Sequence, residues 1–473
     1  MDVMDEVDGM DGMDGSSYDA GMGATPREPT KLGLWAAAAV VAGSILGVGI
    51  FIGPPQMASA LSSELAFVAL WVLGGLVALC GALSLAELGA AMPRSGGDYP
   101  YLAELYPGGV GFAAGWLEIT AVFPGSLATI AVALATYQLP VLLGPAYDIS
   151  FTAFGHTAPA NVLWAAALIG VLSGCNQLGL TVSGRLQIAV TSLPIAVLAI
   201  GGALVLSGAL GAPPPTPGHA GPADPAVYAL AAAFLPVYFA FSGWYGALYV
   251  GAEVERPART LPRALVGGTL AVLLLYLLLD AVFLRTLGMG GLAEVGEAGT
   301  AAASQVLGDR GSFVMAALIA VAVLGTLNGT MLSGSRIAQA MAVKGDFPRF
   351  AAKASPRTGT PSAALWIQTV WTLVLVAIGE AKTLLDYTVG AMLLSGILMV
   401  LSVILLRKRS PELARPFRVP LYPLPPLFFL AANTAVLAVL AIRGTMSVVV
   451  PFVWFGLALL AHRIFRRTGS RKD

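Results

Sequence analysis

Charge is scarce in this sequence. Only 11% of its 473 residues are Asp, Glu, Lys or Arg, whereas soluble proteins average about 25%. The two cysteines, Cys80 and Cys175, lie inside apolar segments, so we expect them to pack as small apolar side chains rather than form a disulfide. The three histidines, His156, His219 and His462, lie outside those segments. We therefore exclude a soluble enzyme and a disulfide-rich secreted scaffold, and we expect no metal site and no cofactor.

Long apolar segments take the place of the missing charge. The hydrophobic fraction is 57% and the mean hydropathy is +0.80. Since a helix needs about 20 residues to cross a roughly 30 Å hydrocarbon core, the pattern predicts an all-α integral membrane protein with twelve spans. The predicted spans are 32–60, 65–91, 110–143, 161–180, 186–210, 227–250, 265–287, 312–343, 363–378, 384–406, 427–442 and 448–465.

The few charges are distributed unevenly. Residues 1–30 hold eight acidic residues against Arg27 alone, and this composition is typical of a disordered cytoplasmic tail. With a cytoplasmic amino terminus, 22 of the 26 Lys and Arg residues fall in cytoplasmic segments. The outer set is Arg285, Arg310, Lys382 and Arg443. This bias predicts a multi-pass protein of the cell membrane with both termini cytoplasmic, whose basic clusters face lipid and not nucleic acid.

The first predicted span carries a glycine-rich interruption at residues 43–51 (GSILGVGIF), followed by Pro54 and Pro55. A helix-interior glycine costs about 1 kcal/mol relative to alanine, so three glycines within seven residues favour local unwinding. A helix-packing motif of small residues is the alternative interpretation.

A second interruption lies about 200 residues later, in the sixth span, where residues 236–246 read PVYFAFSGWYG. Paired interruptions at corresponding positions of two five-helix blocks indicate a transporter site, because unwound backbone persists in a membrane only where it lines a cavity or is buried in protein. Free N–H groups at a half-helix start bind a carboxylate, and free C=O groups at a half-helix end accept from a cation. A zwitterionic amino acid satisfies both.

Several motifs resemble the amino acid–polyamine–organocation (APC) superfamily, in particular its L-type amino acid transporter branch. The matching segments are 43–51, 86–89 (AELG), 95–99 (SGGDY), 239–244 with Glu253, 257–262 (PARTLP), Asn328-Gly329 and Ser335-Arg336. The resemblance implies a LeuT-like fold with 5+5 inverted repeats, broken helices 1 and 6, two C-terminal helices and transport by alternating access.

That fold implies an organisation along the chain. The expected segments are a tail at 1–30, the first repeat at 31–210, a Pro-rich extracellular loop at 211–225, the inverted repeat at 226–410, two helices at 411–466 and a basic tail at 467–473.

The resemblance also implies a substrate site. The carbonyls of Ile45, Phe239 and Ser242 would bind the substrate ammonium. The amides of Gly47, Val48 and Gly49 would bind its carboxylate, and Phe239 would be the gate aromatic. Gly243 and Trp244 complete the expected substrate-binding set.

Three departures qualify this expectation. Val48 stands where many relatives have serine, which removes a hydroxyl contact. Pro194 occupies the position of a coupling lysine, and no lysine occurs in the predicted spans. Residues 144–160 contain no cysteine, so we expect no disulfide-linked heavy subunit.

Four acids in or near the spans are gate or coupling candidates, because intramembrane charge is costly. We expect Glu87 and Glu253 to pair with arginines at the inner gate: Glu87 with Arg94, and Glu253 with Arg256, Arg259 or Arg263. Glu118 is equally suited to a packing hydrogen bond and a proton relay. Asp280 is placed near the outer interface.

The leading hypothesis is secondary transport of neutral L-amino acids, as an exchanger or proton-coupled permease. A polyamine or basic amino acid antiporter is an alternative, although neither broken segment contains an acid. A transporter-like sensor without flux is another. An enzyme is disfavoured because the spans contain no histidine and no paired acids at helical spacing.

Overall fold

A computed structural model describes residues 32–94, 96–153, 156–179, 184–211, 226–249 and 251–469. The expected acidic tail, the Pro-rich loop and the last four residues of the basic tail lie outside these residues. The described part is almost entirely helical, as the apolar pattern predicts.

The α-helices are α1 Leu34–Ile45, α2 Gly49–Ala60, α3 Glu64–Ala91, α4 Tyr99–Leu105, α5 Val110–Leu117, α6 Phe123–Ala133, α7 Leu139–Leu143, α8 Ala160–Gln177, α9 Gly184–Leu206, α10 Ala226–Phe241, α11 Pro257–Thr286, α12 Gly288–Glu294, α13 Ala298–Lys344, α14 Ser362–Ile378, α15 Ala381–Arg409, α16 Leu424–Ile442 and α17 Met446–Gly469. A short antiparallel hairpin pairs β1 Phe151–Ala153 with β2 His156–Ala158. The helices pack on one another without any larger sheet among the described residues.

Eight helical stretches of the described chain are long and apolar enough to cross a membrane. They are Leu34–Ala60, Glu64–Ala91, Val110–Tyr147, Pro257–Thr286, Ala298–Lys344, Ala381–Arg409, Leu424–Ile442 and Met446–Arg463. Shorter apolar helices are Thr191–Leu206, Val227–Phe241 and Ser362–Ile378. Large apolar side chains such as Leu274 and Val370 are exposed on the outside of the bundle. That surface matches a lipid environment, in which apolar side chains need no cover.

Two predicted spans are irregular. The third continues from α5 through a π-helical segment, Glu118–Val122, into α6, and a second π-helical segment, Leu134–Gln138, follows. π-Helical turns within α-helices are frequent at functional sites. The eighth span belongs to α13, which bends at Gly308 (φ 65°), so the chain before that glycine forms a separate helical arm.

We call the side of the bundle where α1 and α11 begin the amino-terminal face. There, Leu32 forms a parallel β-bridge with Val254. The Leu32 N–H donates to the Glu253 carbonyl at 2.8 Å, and the Glu255 N–H donates to the Leu32 carbonyl at 2.9 Å. The chain entering α1 is thereby fixed to the chain leading into α11.

Candidate functional site

The first glycine-rich segment breaks its helix. α1 ends at Ile45 and α2 begins at Gly49, while Leu46 adopts extended backbone (φ −70°, ψ 92°). The Val48 carbonyl accepts from the N–H groups of Phe51 at 3.0 Å and Ile52 at 3.1 Å, which starts the new helix. The interruption predicted from the glycines is therefore present, over residues 46–48.

The N–H groups at this new helix start are free. No described residue accepts a hydrogen bond from the amides of Val48 or Gly49, and the Gly47 amide lies beside the Tyr276 hydroxyl. Free amides at the start of a helix carry partial positive charge and form a site for an anion.

The second predicted interruption is also present. α10 ends at Phe241, Gly243 takes a left-handed conformation (φ 92°), and Gly246–Tyr249 forms a short 3₁₀ helix. The Phe239 carbonyl accepts from the Ser242 N–H at 3.0 Å and from the Ser242 Oγ at 2.6 Å. The Ser242 carbonyl accepts nothing from the described chain.

The two breaks lie in direct backbone contact. A Cβ on Gly49 would stand 2.5 Å from the Ala240 Cα, too close for any side chain. A Cβ on Gly246 would stand 2.5 Å from the Ser44 Oγ, and one on Gly243 would collide with the Ser44 carbonyl. The glycines are therefore required both for the unwound backbone and for the close approach of the two segments.

Two hydroxyl side chains from other helices bind the exposed carbonyls of these breaks. Tyr276 of α11 donates to the carbonyls of Ile45 at 2.9 Å and Ala240 at 3.1 Å, one from each break. Thr326 of α13 lies 2.8 Å from the Leu46 carbonyl. Neither residue was predicted from the sequence. The available signal for Tyr276 was a polar residue four positions before Asp280 in the otherwise apolar stretch 270–283.

A small cavity of about 60 Å³ lies between the breaks and the third and eighth spans. Hydroxyl groups dominate its polar lining: Ser44, Ser126, Ser242, Tyr245, Tyr249, Thr326, Thr330 and Ser333. No acidic or basic side chain is among its lining residues in the described structure. The cavity is much smaller than the roughly 300–1,000 Å³ of usual ligand pockets, so the site must widen to hold an amino acid.

The expected substrate-binding residues divide into three groups. Ser242 and Gly243 line the cavity. Ile45, Gly47, Val48, Gly49 and Phe239 are buried at the breaks without lining it. Trp244 packs edge-on against Phe429 of α16, 5.7 Å between ring centroids, and against the backbone at Gly81 of α3. Its side chain thus lies between helices, away from the cavity.

Two of the four acids are buried with unpaired oxygens. Glu118 begins the first π-helical segment and accepts from the Ser395 hydroxyl through Oε1, while Oε2 has no partner among the described residues. Val122, one turn further on, lines the cavity. Asp280 is 1% exposed, and neither of its oxygens has a partner in the described chain.

Glu87 and Glu253 form ion pairs, but not with the predicted arginines. Glu87 is fully buried and binds the Arg407 Nε at 2.8 Å and its Nη2 at 2.6 Å. Arg94 pairs instead with Glu104. The expected partners were wrong because they were chosen for nearness along the chain, whereas helix packing brings the end of α15 to the end of α3.

Glu253 lies 3.5 Å from Arg336 of α13, with both side chains more than one-third exposed. This pair joins the segment before α11 to the eighth span at the amino-terminal face. Arg259 and Arg263 take no part in it. Exposed pairs of this kind contribute about 0–1 kcal/mol.

Cys80 and Cys175 are free thiols. No group of three or more His, Cys, Asp or Glu side chains suited to a metal ion occurs in the part of the chain that the structure describes.

Sequence comparisons identify the family of the chain. The family described as amino acid permease matches residues 32–461. The Asc-type amino acid transporter 1 of Mus musculus is 31% identical over 393 residues, covering 82% of this chain and 72% of the relative. The serine/threonine exchanger SteT of Bacillus subtilis is 30% identical over 444 residues, covering 88% and 92%.

A third relative, the large neutral amino acids transporter small subunit 2 of Homo sapiens, is 27% identical over 406 residues, covering 85% of this chain and 74% of the relative. The family match spans both breaks, the hydroxyl-lined cavity and the apolar helices around them. The chain therefore belongs to the amino acid permease family of the APC superfamily, and it is a membrane transporter of amino acids rather than an enzyme.

Proposed function

We propose that the protein exchanges small neutral L-amino acids across the cell membrane by alternating access. The observation that carries this proposal is the uncharged, hydroxyl-lined cavity between two broken helices. A substrate with both charges on its own backbone fits such a site. A polyamine or a basic side chain would leave a cation without an acidic partner there.

The free backbone groups suggest where the substrate binds. Its carboxylate would lie at the amides of Val48 and Gly49, with Gly47 beside them. Its ammonium would lie at the Ser242 carbonyl and at the second lone pair of the Ile45 carbonyl oxygen, whose first accepts from Tyr276. The Phe239 carbonyl already accepts two bonds from Ser242, so its share in binding requires the Ser242 hydroxyl to rotate. The Phe239 ring is the proposed gate.

The hydroxyl lining of the cavity favours a small polar substrate. At about 60 Å³ the cavity holds only a few waters, so the lining helices α6 and α13 must move apart to admit any amino acid, and must move further for a long or aromatic side chain. Serine and threonine need less room and can donate to the lining hydroxyls. The name of the Bacillus subtilis exchanger is consistent with this choice.

Exchange is proposed over proton symport. Pro194 is buried where many relatives carry the coupling lysine, and the predicted spans contain no lysine. If a proton is coupled, Glu118 is the favoured carrier, because its free oxygen lies one turn from the cavity wall. Asp280 is the second candidate. Glu87 and Glu253 are assigned to holding helices together at the inner gate.

For topology we propose twelve spans in a LeuT-like arrangement, with repeats at 31–210 and 226–410 and both termini cytoplasmic. The broken spans stand first in each repeat, and 22 of 26 basic residues fall on the cytoplasmic side of this arrangement. The amino-terminal face is then the cytoplasmic end. Since residues 144–160 lack cysteine, we propose that the protein works without a disulfide-linked subunit.

The test is uptake of labelled serine, leucine, lysine and putrescine into proteoliposomes of the purified protein alone, with and without internal serine and with an imposed proton gradient. We expect serine uptake that requires internal serine and little lysine or putrescine uptake. Flux without internal substrate, driven by the proton gradient, would contradict exchange. If no amino acid is taken up, transport is refuted and the hypothesis of a sensor without flux remains.

A matched pair of variants tests the site. Gly47→Leu places a large side chain between the break and Thr326, whose Cγ2 is 3.4 Å from a Cβ at that position, and should abolish serine binding. Gly53→Ala adds a methyl group in ordinary contact, 3.5 Å from Pro236, and should retain it. Equal binding by both variants would refute the site.

A further inference from the structure

Two arginines near the start of α11 have no partner among the residues that the structure describes. Arg259 and Arg263 are exposed, and neither forms an ion pair or hydrogen bond with any described residue. One helical turn separates them, so their side chains lie on the same face at a spacing where like charges repel. Glu255 precedes Arg259 by four residues, but Arg256 adopts a left-handed conformation (φ 48°) that places Glu255 outside the helix.

The two arginines line a groove of about 440 Å³. Its other walls are apolar: Leu83 of α3 and, from the segment between α15 and α16, Pro416, Phe417 and Pro420. No acidic side chain lines it among the described residues. The groove therefore combines an apolar wall with two positive charges that no described acidic residue neutralises.

The groove continues along an exposed apolar stripe of α11. Val266 and Gly267 line the groove, and a Cβ on Gly267 would meet nothing within 4 Å. Leu270 and Leu274 extend the same helix face and are 43% and 60% exposed. From Arg263 to Leu274 the stripe runs about 16 Å along the helix axis, close to the depth of one leaflet of a roughly 30 Å hydrocarbon core.

We propose that this groove binds one anionic phospholipid, with the headgroup phosphate between Arg259 and Arg263 and an acyl chain over Gly267 along Leu270 and Leu274. The arginines supply charge complementarity, and the notch at Gly267 supplies room for the chain. The site lies at the amino-terminal face, which is the cytoplasmic leaflet in the orientation proposed above. It is separate from the substrate cavity.

The test is native mass spectrometry of the purified protein titrated with palmitoyl-oleoyl-phosphatidylglycerol (POPG) or palmitoyl-oleoyl-phosphatidylcholine (POPC). We expect POPG to be retained in preference to POPC. Since each interfacial arginine is worth about fivefold in affinity for anionic lipid, the Arg259→Gln/Arg263→Gln variant should lose about 30-fold in POPG affinity. Equal retention of the two lipids by the wild type would overturn the proposal.

The matched control is Arg349→Gln/Arg357→Gln, which removes the same charge from exposed positions after α13. It should keep POPG affinity within about twofold. Arg349 and Arg357 lie outside the groove, so their attraction for the lipid headgroup is screened by salt. Gly267→Leu, which leaves charge unchanged and fills the notch, should weaken POPG binding. An equal loss in the control pair, or full POPG binding by Gly267→Leu, would overturn the site.

Inorganic phosphate at the same concentrations tests whether the groove binds free phosphate instead of a lipid headgroup. It should not displace POPG, because it lacks the acyl chain. Displacement would show that the groove is a phosphate site and would overturn the lipid assignment. The measurement does not involve transport, so its outcome is independent of the exchange assay.

Discussion

At the level of single residues, the two helix breaks follow from local sequence, but their partners do not. Glycines at 43, 47 and 49 predict the first break without knowledge of any other part of the chain. Tyr276, whose hydroxyl binds a carbonyl in each break, is 231 residues from Ile45. Nothing in its local sequence identifies that contact, because the contact depends on how α11 packs on α1 and α3 and so brings the Tyr276 hydroxyl to the ends of α1 and α10.

Gly49 offers a test of how closely the breaks must approach. Gly49→Ala would force the Ala240 backbone away, since the added Cβ would lie 2.5 Å from the Ala240 Cα. Overpacking of this kind costs about 1–3 kcal/mol, and we expect a lower Tm in detergent and at least a tenfold loss of serine exchange. The control is Gly53→Ala in the same helix, which should stay near wild type. Wild-type exchange by Gly49→Ala would show that the close contact is not needed.

At the level of helices and loops, the hydropathy pattern predicts which segments are helical, but not which ends meet. Glu87 of α3 is bound by Arg407 of α15, and its Oε2 also accepts from the Val419 N–H at 2.7 Å. One buried carboxylate therefore ties together three parts of the chain. Tertiary packing determines these partners, whereas proximity along the chain predicts Arg94 instead.

We expect Glu87→Gln to be strongly destabilising. Breaking a buried ion pair typically costs about 3–5 kcal/mol. Because 24% of the Arg407 side chain is exposed, we expect Glu87→Gln to lower the free energy of unfolding by about 3 kcal/mol. The control Glu104→Gln breaks the exposed pair with Arg94 and should cost less than about 1 kcal/mol. Thermal unfolding in detergent measures both. Similar Tm values for the two variants would contradict the assigned role of Glu87.

The helical arm that begins α13 carries a pH-sensitive cap. Glu297 accepts from the N–H groups of Gly299 at 2.5 Å and Thr300 at 2.9 Å. Burial raises the pKa of Glu297 to about 6, from 4.5, although hydrogen bonds from Thr300 and Gly299 lower it. The folded protein thus holds this proton more tightly than the unfolded chain.

Stability should therefore fall as the pH rises from about 4.5 through about 6, by about 2 kcal/mol from this group. Tm measured between pH 4.5 and 7.5 should show this decrease in the wild type and in Glu294→Gln, an exposed control in α12. The Glu297→Gln variant should lack it. If the Tm of Glu297→Gln falls with pH as steeply as that of the wild type, Glu297 is excluded as the source of the decrease.

At the level of the whole molecule, composition alone establishes a membrane protein, and the breaks together with the family match establish an amino acid transporter. The charge count further predicts an orientation, which stays a prediction. Its physical basis is that basic residues are retained on the cytoplasmic side during insertion. The small volume of the cavity was not predictable, because a sequence encodes every state of a transport cycle and the cavity volume belongs to one of them.

The orientation can be tested by thiol labelling in a variant with Cys80 and Cys175 replaced by alanine. We expect Ser207→Cys, after α9, to react with a membrane-impermeant maleimide in intact cells, and Ala354→Cys, between α13 and α14, to react only after permeabilisation. Both positions are exposed. The reverse pattern would invert the proposed topology, and reaction of both in intact cells would refute the alternation of spans.

The bridge between Leu32 and Val254 also constrains the order of assembly. At about 5–20 residues per second of synthesis, Leu32 is made roughly 10–45 s before its partner. During that interval the backbone at Leu32 lacks its Val254 partner. The bridge at the amino-terminal face can therefore form only after α10 and the segment that follows it have been synthesised, so we expect a chain released before that point to lack this tie between α1 and α11.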